Sequence, residues 1–299
     1  KLIIKNASEL VTCRGKAPKH GKDMSSIGLI KNGCIVIEDE VIIDVGTEDI
    51  LKNYKEVEYQ VIDAKDKAVL PDFIDSHTHL IFGGYRAEEF SWRLKGDTYM
   101  SIMERGGGIT STVRATRNTS REELISLGRK RLDKMLDMGV TTVEGKSGYG
   151  LDKETEIRQL KAMKELDKMH PVDIVPTFLG PHSVLPEYKG REEEFIDLMI
   201  DLLPEIVQEN MAEFADIFCE KNVFTVEQSR RFLKAAKDEG LKLKIHADEM
   251  YRLGGTELAV ELGCTSADHL LQASDEGIRL LAGSNTVATL LPGTAFCLR

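Results

Sequence analysis

The chain has 299 residues, 41% of them hydrophobic, and a formal net charge of −10 at pH 7. That length suits one large α/β barrel or two ordinary domains. The acidic balance argues against nucleic acid or an anionic membrane surface as a partner, although local cations in a cleft can still hold a small anionic substrate. No apolar run approaches the roughly 20 residues that span a bilayer, and no signal-peptide pattern opens the chain. Five cysteines (Cys13, Cys34, Cys219, Cys264, Cys297) are scattered without a C-x-x-C pair. This is the usage of a reducing compartment with thiols buried as small hydrophobes, so the expected location is the cytoplasm.

Residues 1–66 lack long helical periodicity. Runs rich in Ile and Val (Cys34 to Ile37, Val41 to Val45, Tyr59 to Ile62) alternate with Gly, Asn and Asp turns, which predicts a small, incomplete β-sandwich-like domain. From residue 67 to 299 the texture changes to strands alternating with amphipathic helices, the pattern of βα units around a parallel sheet. Strands are predicted over Val69–Ile74, Thr141–Gly145, Asp173–Leu179, Phe214–Phe218, Leu241–Ile245, Thr265–Asp268 and Thr286–Leu291. Helices are predicted between them over Arg121–Leu136, Lys153–Met169, Glu192–Gln208, Thr225–Glu239, Gly255–Leu262 and Asp275–Ala282, with Ser120 and Thr225 as N-caps. Seven strands fall one short of a (β/α)8 TIM barrel, and both ends of the sequence interrupt or follow strand-like runs, so the chain reads as a barrel truncated before its eighth strand. Gly106-Gly107-Gly108 lacks the lysine of a phosphate loop and reads as a mobile active-site loop.

Five of the seven histidines fall just beyond predicted strand ends: His77 and His79 after the first, His182 after the third, His246 after the fifth, His269 after the sixth. His20 and His170 do not, and are expected at the surface. Barrel enzymes build their active sites on the C-terminal face of the strands. In Ile74-Asp75-Ser76-His77-Thr78-His79-Leu80 the two histidines are two residues apart and project to the same side of a strand. A third imidazole arrives with Lys244-Ile245-His246-Ala247-Asp248-Glu249-Met250, followed three residues later by the Glu249 carboxylate. Neutral imidazole is the commonest side-chain ligand for zinc and its neighbours, so together the segments outline a hydrolytic metal site with an attached acid/base.

Pro71-Asp72-Phe73-Ile74-Asp75-Ser76-His77-Thr78-His79 resembles the first-strand motif of the amidohydrolase superfamily. More narrowly, the chain resembles the imidazolonepropionase family. The resemblance lies in Phe82-Gly83-Gly84-Tyr85-Arg86, Gly106-Gly107-Gly108-Ile109, Lys146-Ser147-Gly148-Tyr149-Gly150-Leu151, Ala215-Asp216-Ile217-Phe218-Cys219-Glu220, His246-Ala247-Asp248-Glu249, Ser266-Ala267-Asp268-His269-Leu270 and Leu290-Leu291-Pro292-Gly293-Thr294. It runs over essentially the whole chain, in order.

The resemblance implies a metal-dependent hydrolase that opens the imidazolone ring, converting 4-imidazolone-5-propanoate and water to N-formimidoyl-L-glutamate in histidine degradation. It implies one Zn²⁺ or Fe per subunit on His77, His79 and His246, with an open position for water. The family's fourth ligand, an aspartate at the end of the eighth strand, would lie beyond Arg299. Glu249 and His269 would be catalytic, moving protons and stabilising the developing oxyanion, with Glu249 also engaging substrate. Arg86, Tyr149 and His182 would hold the substrate, the Arg86 guanidinium matching the propionate carboxylate. A homodimer is the implied assembly.

The nearest rival is a ring deaminase on the same barrel, which needs no arginine for a propionate. A rival from another class is an inactive fragment, because a barrel without its eighth strand exposes an unpaired edge. On that ground the 299-residue chain alone is expected to be unstable or nearly inactive.

Overall fold

A computed structural model describes residues 1–15, 19–97, 101–102 and 105–298. The chain divides into two compact units, Lys1–Asp72 and Phe73–Arg299.

The first unit is a single five-stranded sheet. Strands β1 (Leu2–Val11), β2 (Leu29–Glu38) and β3 (Val41–Thr47) pair antiparallel in succession, while β4 (Gln60–Asp63) and β5 (Ala68–Val69) run parallel to β1. The two-residue β2–β3 connection, Asp39-Glu40, has φ of 49° and 67°, the pair of left-handed residues that matches a hairpin to strand twist. Ile3, Cys34, Val36 and Leu51 form one apolar cluster, and Ala7, Leu10, Ile35 and Ala64 form another.

The second unit is a parallel barrel of seven strand positions wrapped by helices. Its strands are β6 (Phe73–Thr78), β7 (Val140–Lys146), β8 (Asp173–Phe178), β9 (Phe214–Ala215) with β10 (Phe218–Cys219), β11 (Lys242–Ala247), β12 (Ser266–His269) and β13 (Val287–Thr289). Pairing follows chain order from β6 to β13, with β10 also on β11. Among the described residues β6 and β13 do not pair, and a cavity of about 440 Å³ runs along this seam between Ile74–His77 and Thr289–Thr294.

The helices are α1 (Ala87–Leu94), α2 (Gly108–Arg117), α3 (Arg121–Asp137), α4 (Lys153–Met169), α5 (Glu192–Ile200), α6 (Leu203–Gln208), α7 (Val226–Asp238), α8 (Gly255–Leu262), α9 (Asp275–Ala282) and α10 (Pro292–Leu298). The longer covering helices bury one stripe. In α7, Ser229, Phe232, Leu233 and Ala236 recur at helical spacing, and Phe232 packs on Phe178 of β8 with ring centroids 6.1 Å apart. The Ser120 hydroxyl accepts from the Glu123 N–H, and Thr225 with Gln228 closes a reciprocal capping box at the start of α7.

Several expectations need correction. The run Val69–Ile74 serves two units rather than forming one strand: Ala68–Val69 joins the first sheet, Pro71 lacks the N–H to continue a ladder, and pairing resumes at Phe73. The predicted helix Glu192–Gln208 is two helices, because Pro204 cannot donate within a helix and takes a first-turn position in α6. Gly108 opens α2 instead of lying in a loop, and Thr286–Leu291 shortens to Val287–Thr289 before α10. The His170 side chain is only 4% exposed, bridging the Asp133 carboxylate and the Val172 N–H rather than facing solvent. Cys34, Cys219 and Cys264 are buried, but Cys13 and Cys297 are exposed. No helix among the described residues is long and apolar enough to cross a membrane.

Candidate active site

The strands that position the site carry charge where a barrel core ordinarily carries apolar side chains. Lys146 on β7 is fully buried; its Nζ lies 2.8 Å from Glu144, 2.7 Å from Asp216 and 3.5 Å from Asp268. Lys244 on β11 donates to the Ser76 carbonyl at 3.0 Å and lies 3.3 Å from Glu144. Thr177 on β8 donates to Glu144 and Ser266 on β12 donates to Asp268, each at 2.6 Å. Burial disfavours the Lys146 ammonium, but Asp216, Glu144 and Asp268 outweigh it and raise its pKa. Burial likewise opposes the Asp268 charge, and the His77 N–H and Lys146 override it, holding that carboxyl well below the usual range.

Above this charged floor the imidazoles converge. His77 and His246 have ring centroids 4.6 Å apart, His77 and His269 5.0 Å, and His79 and His182 stack at 4.7 Å. Tyr149 sits 5.3 Å from both His79 and His182. The pairing of β6 with β7 is irregular between Asp75 and Thr78, a distortion that aims the His77 ring inward from within the strand. His77 and His246 are the next-to-last residues of β6 and β11 and His269 is the last of β12, so all three lie within their strands, not past them as the sequence predicts.

The floor carboxylates orient the imidazoles. Nδ1 of His77 meets Asp268 at 2.6 Å, and Nδ1 of His246 meets Asp216 at 3.0 Å. Each carboxylate fixes the tautomer and leaves Nε2 for the site, the carboxylate–histidine arrangement that supports metal ligation. Nε2 of His246 and Nδ1 of His79 are buried without a hydrogen-bond partner. Among the described residues three groups bring ligand atoms within 4.8 Å of one another: His77-Glu144-Asp268 and two histidine triads, His77-His246-His269 and His79-His182-His246, so the expected ligands His77, His79 and His246 are divided between triads that share His246. Burial, with neighbouring histidines, lowers the pKa of His79 and His246 well below the ordinary value and that of His182 and His269 to about 4. Neutral imidazoles, orphaned nitrogens and a floor with three carboxylates to two ammoniums fit a divalent metal.

Glu249 lies against this cluster. Its Oε1 is 3.2 Å from Nδ1 of His269, its side chain is 11% exposed, and burial with the nearby Glu220 raises its pKa to about 7. The two carboxylates of His246-Ala247-Asp248-Glu249 have separate tasks. Asp248, at φ 49°, accepts from the N–H groups of Leu253, Gly254 and Thr256 and so builds the start of α8. Glu220 accepts from the N–H groups of Met250 and Tyr251, fixing the turn that holds Glu249 at its station. His269 and Leu270 both adopt left-handed backbone, with φ of 76° and 60°.

The structure thus gathers His77, His79, His182, His246, His269, Tyr149 and Glu249. Arg86 is not drawn into the buried cluster: it precedes α1, is 40% exposed along its side chain and faces Glu89 at 3.8 Å. Its loop is stapled by Arg131, which donates to the Leu80 and Phe82 carbonyls and lies 3.7 Å over the Phe82 ring. Sequence reasoning assigned no role to Lys146, Asp216, Asp268, Glu144 or Lys244. The available signal was charge at alternate positions in buried strands, Glu144 with Lys146 and Lys244 with His246.

Known proteins corroborate this architecture. The amidohydrolase family model matches residues 60–108. Among solved structures, a triazine hydrolase from Arthobacter aurescens superposes with a TM-score of 0.69 at 16% identity, covering 99% of this chain and 66% of that one. A 5-methylcytosine deaminase from Klebsiella pneumoniae gives 0.66 at 17%, covering 96% and 64%. At such identities these likenesses show the fold alone. Curated relatives go further: the imidazolonepropionase of Clostridium tetani is 57% identical over 300 residues, and that of Parabacteroides distasonis 55%. Each alignment takes in 100% of this chain and 72% of the relative. On that identity across its whole length, the chain belongs to the imidazolonepropionase family of amidohydrolases.

Proposed function

We propose that this chain hydrolyses 4-imidazolone-5-propanoate to N-formimidoyl-L-glutamate, with His77, His79 and His246 holding a single Zn²⁺ or Fe. The observation that carries the proposal is the Glu249–His269 pair, 3.2 Å apart against a nest of neutral imidazoles. When bound, the metal supplies Lewis acidity, polarising a carbonyl and acidifying water. Everything else falls to the side chains. His269, through an N–H, donates to the ring carbonyl oxygen as negative charge develops there. The Glu249 carboxylate accepts a proton from the attacking water and returns it to the ring nitrogen as the bond between that nitrogen and the carbonyl carbon breaks. Tyr149 and His182 bound the ring, and Arg86, on its Gly83-Gly84 loop, pairs with the propionate when the ligand draws it from Glu89.

The test is loss of imidazolone absorbance with purified, metal-loaded protein. Chelation is expected to abolish turnover and to lower thermal stability, by about 2.7 kcal/mol relative to protein at a hundredfold excess of metal over its Kd. Zn²⁺ or Fe²⁺ should restore both, and turnover indifferent to chelation would refute the metal assignment.

A further inference from the structure

The loop that carries Tyr149 is held from beneath by one fully buried carboxylate. Glu156, on the first turns of α4, accepts from the Gly148 N–H at 2.9 Å through Oε2 and from the Gly150 and Leu151 N–H groups at 2.8 Å through Oε1. The chain around it is shaped to allow this. Gly148 has φ of +100°, and a Cβ there would meet the Leu179 carbonyl at 2.8 Å; a Cβ on Gly150 would meet the Glu156 backbone nitrogen at 2.7 Å. Leu151 is left-handed at φ 53°. The outward carbonyls of Gly150 and Leu151 accept from Arg117. The Gly148 carbonyl accepts from Nδ1 of His182 at 2.8 Å, which fixes that ring's tautomer and leaves its Nε2 for the site.

We infer that Glu156 is a positioning residue for substrate binding: its acceptor-only carboxylate gathers the N–H groups flanking Tyr149 and, through the Gly148 carbonyl, sets His182 as well. The inference rests on the reading of Tyr149 and His182 as substrate-binding groups. Packing alone does not explain the residue. α4 is anchored without it, by Leu160, Met163 and Leu166 in the core and by the Asp152 cap on the Thr155 N–H. A buried carboxylate is a costly group unless donors converge on it, and here those donors belong to the loop that holds Tyr149.

The experiment is Glu156→Gln in the metal-loaded protein. Glutamine keeps the volume but turns one oxygen into a donor, which then faces a loop N–H. Expected are a KM for imidazolone propionate raised by about tenfold with kcat near the wild-type value, unchanged metal content, and amide exchange at Gly148, Gly150 and Leu151 faster by about tenfold while Val143–Lys146 is unaffected. Glu156→Asp, which keeps the acceptor set and shortens its reach, should shift the same quantities in the same direction by less; it carries the test if the glutamine variant does not fold. Faster loop exchange with an unchanged KM would make Glu156 a structural residue only, and unchanged exchange would show that it does not hold the loop; either overturns the inference. Wild-type protein inactive on imidazolone propionate would instead remove the functional reading itself, and this inference with it.

Discussion

Glu249 and His269 have pKa values displaced in opposite directions, to about 7 and about 4, chiefly by burial. Between these values both groups are neutral; above 7 the Glu249 carboxylate faces a neutral imidazole. If Glu249 takes up the first proton, kcat/KM rises with pH as that carboxyl ionises and then levels, since that ratio reports the free enzyme, and a bound divalent cation draws the rise below the value of the metal-free protein. Glu249→Gln is expected to lower kcat/KM by about 10²–10⁴ and to flatten the rise, as a pH–rate profile would show. Stability runs the other way. A carboxyl raised from 4.5 to about 7 on folding contributes stability below its unfolded value and loses it as pH climbs through the folded one. The loss is about 3 kcal/mol for the metal-free protein by pH 8, and the glutamine variant escapes it. Denaturation of both proteins at pH 5 and pH 8 checks the sign, and a wild type that gains on the variant at high pH would refute it.

The strands decide how much of this molecule can be read from sequence. Helices Lys153–Met169, Gly255–Leu262 and Asp275–Ala282 are legible to the residue, because apolar stripes and caps are local signals. The clustering of His77, His79, His182, His246 and His269 with Glu249 is legible too, since histidine at strand ends is an unusual placement. What escapes is the charged floor. Lys146, Glu144, Asp216 and Asp268 come from three strand positions, and nothing local says that their side chains meet. Alternation points them inward, but only the closure of the barrel shows that each charge has partners. Lys146→Met would strand buried carboxylates without their cation, and should cost about 3–5 kcal/mol in urea denaturation. The same variant should bind metal more weakly, because Asp216, which holds His246, would lose its counter-ion. A stable variant with wild-type metal content would show the floor to be dispensable.

At the scale of the whole molecule, β6 and β13 of unit Phe73–Arg299 do not pair with each other among the described residues. Phe73 is 54% exposed and Ile74 70% on β6, and Leu290 is 65% exposed beyond β13. Unpaired backbone beside exposed apolar side chains is a template for adding another strand. A polypeptide of these 299 residues is therefore expected to self-associate, and Ile74→Lys, a charge at that edge, to reduce it. Light scattering against concentration tests this, and equal scattering by both chains would absolve the seam. The net charge of −10 works against association but is not focused on this edge. The left-handed backbone at His269 has its own consequence. A β-carbon in that region costs about 1–3 kcal/mol, which glycine would not incur. A breeding programme that rewards heat resistance alone would therefore drift toward replacing this histidine; if His269 has the proposed role, durability would come at the expense of turnover, and screening for both traits at once would keep it.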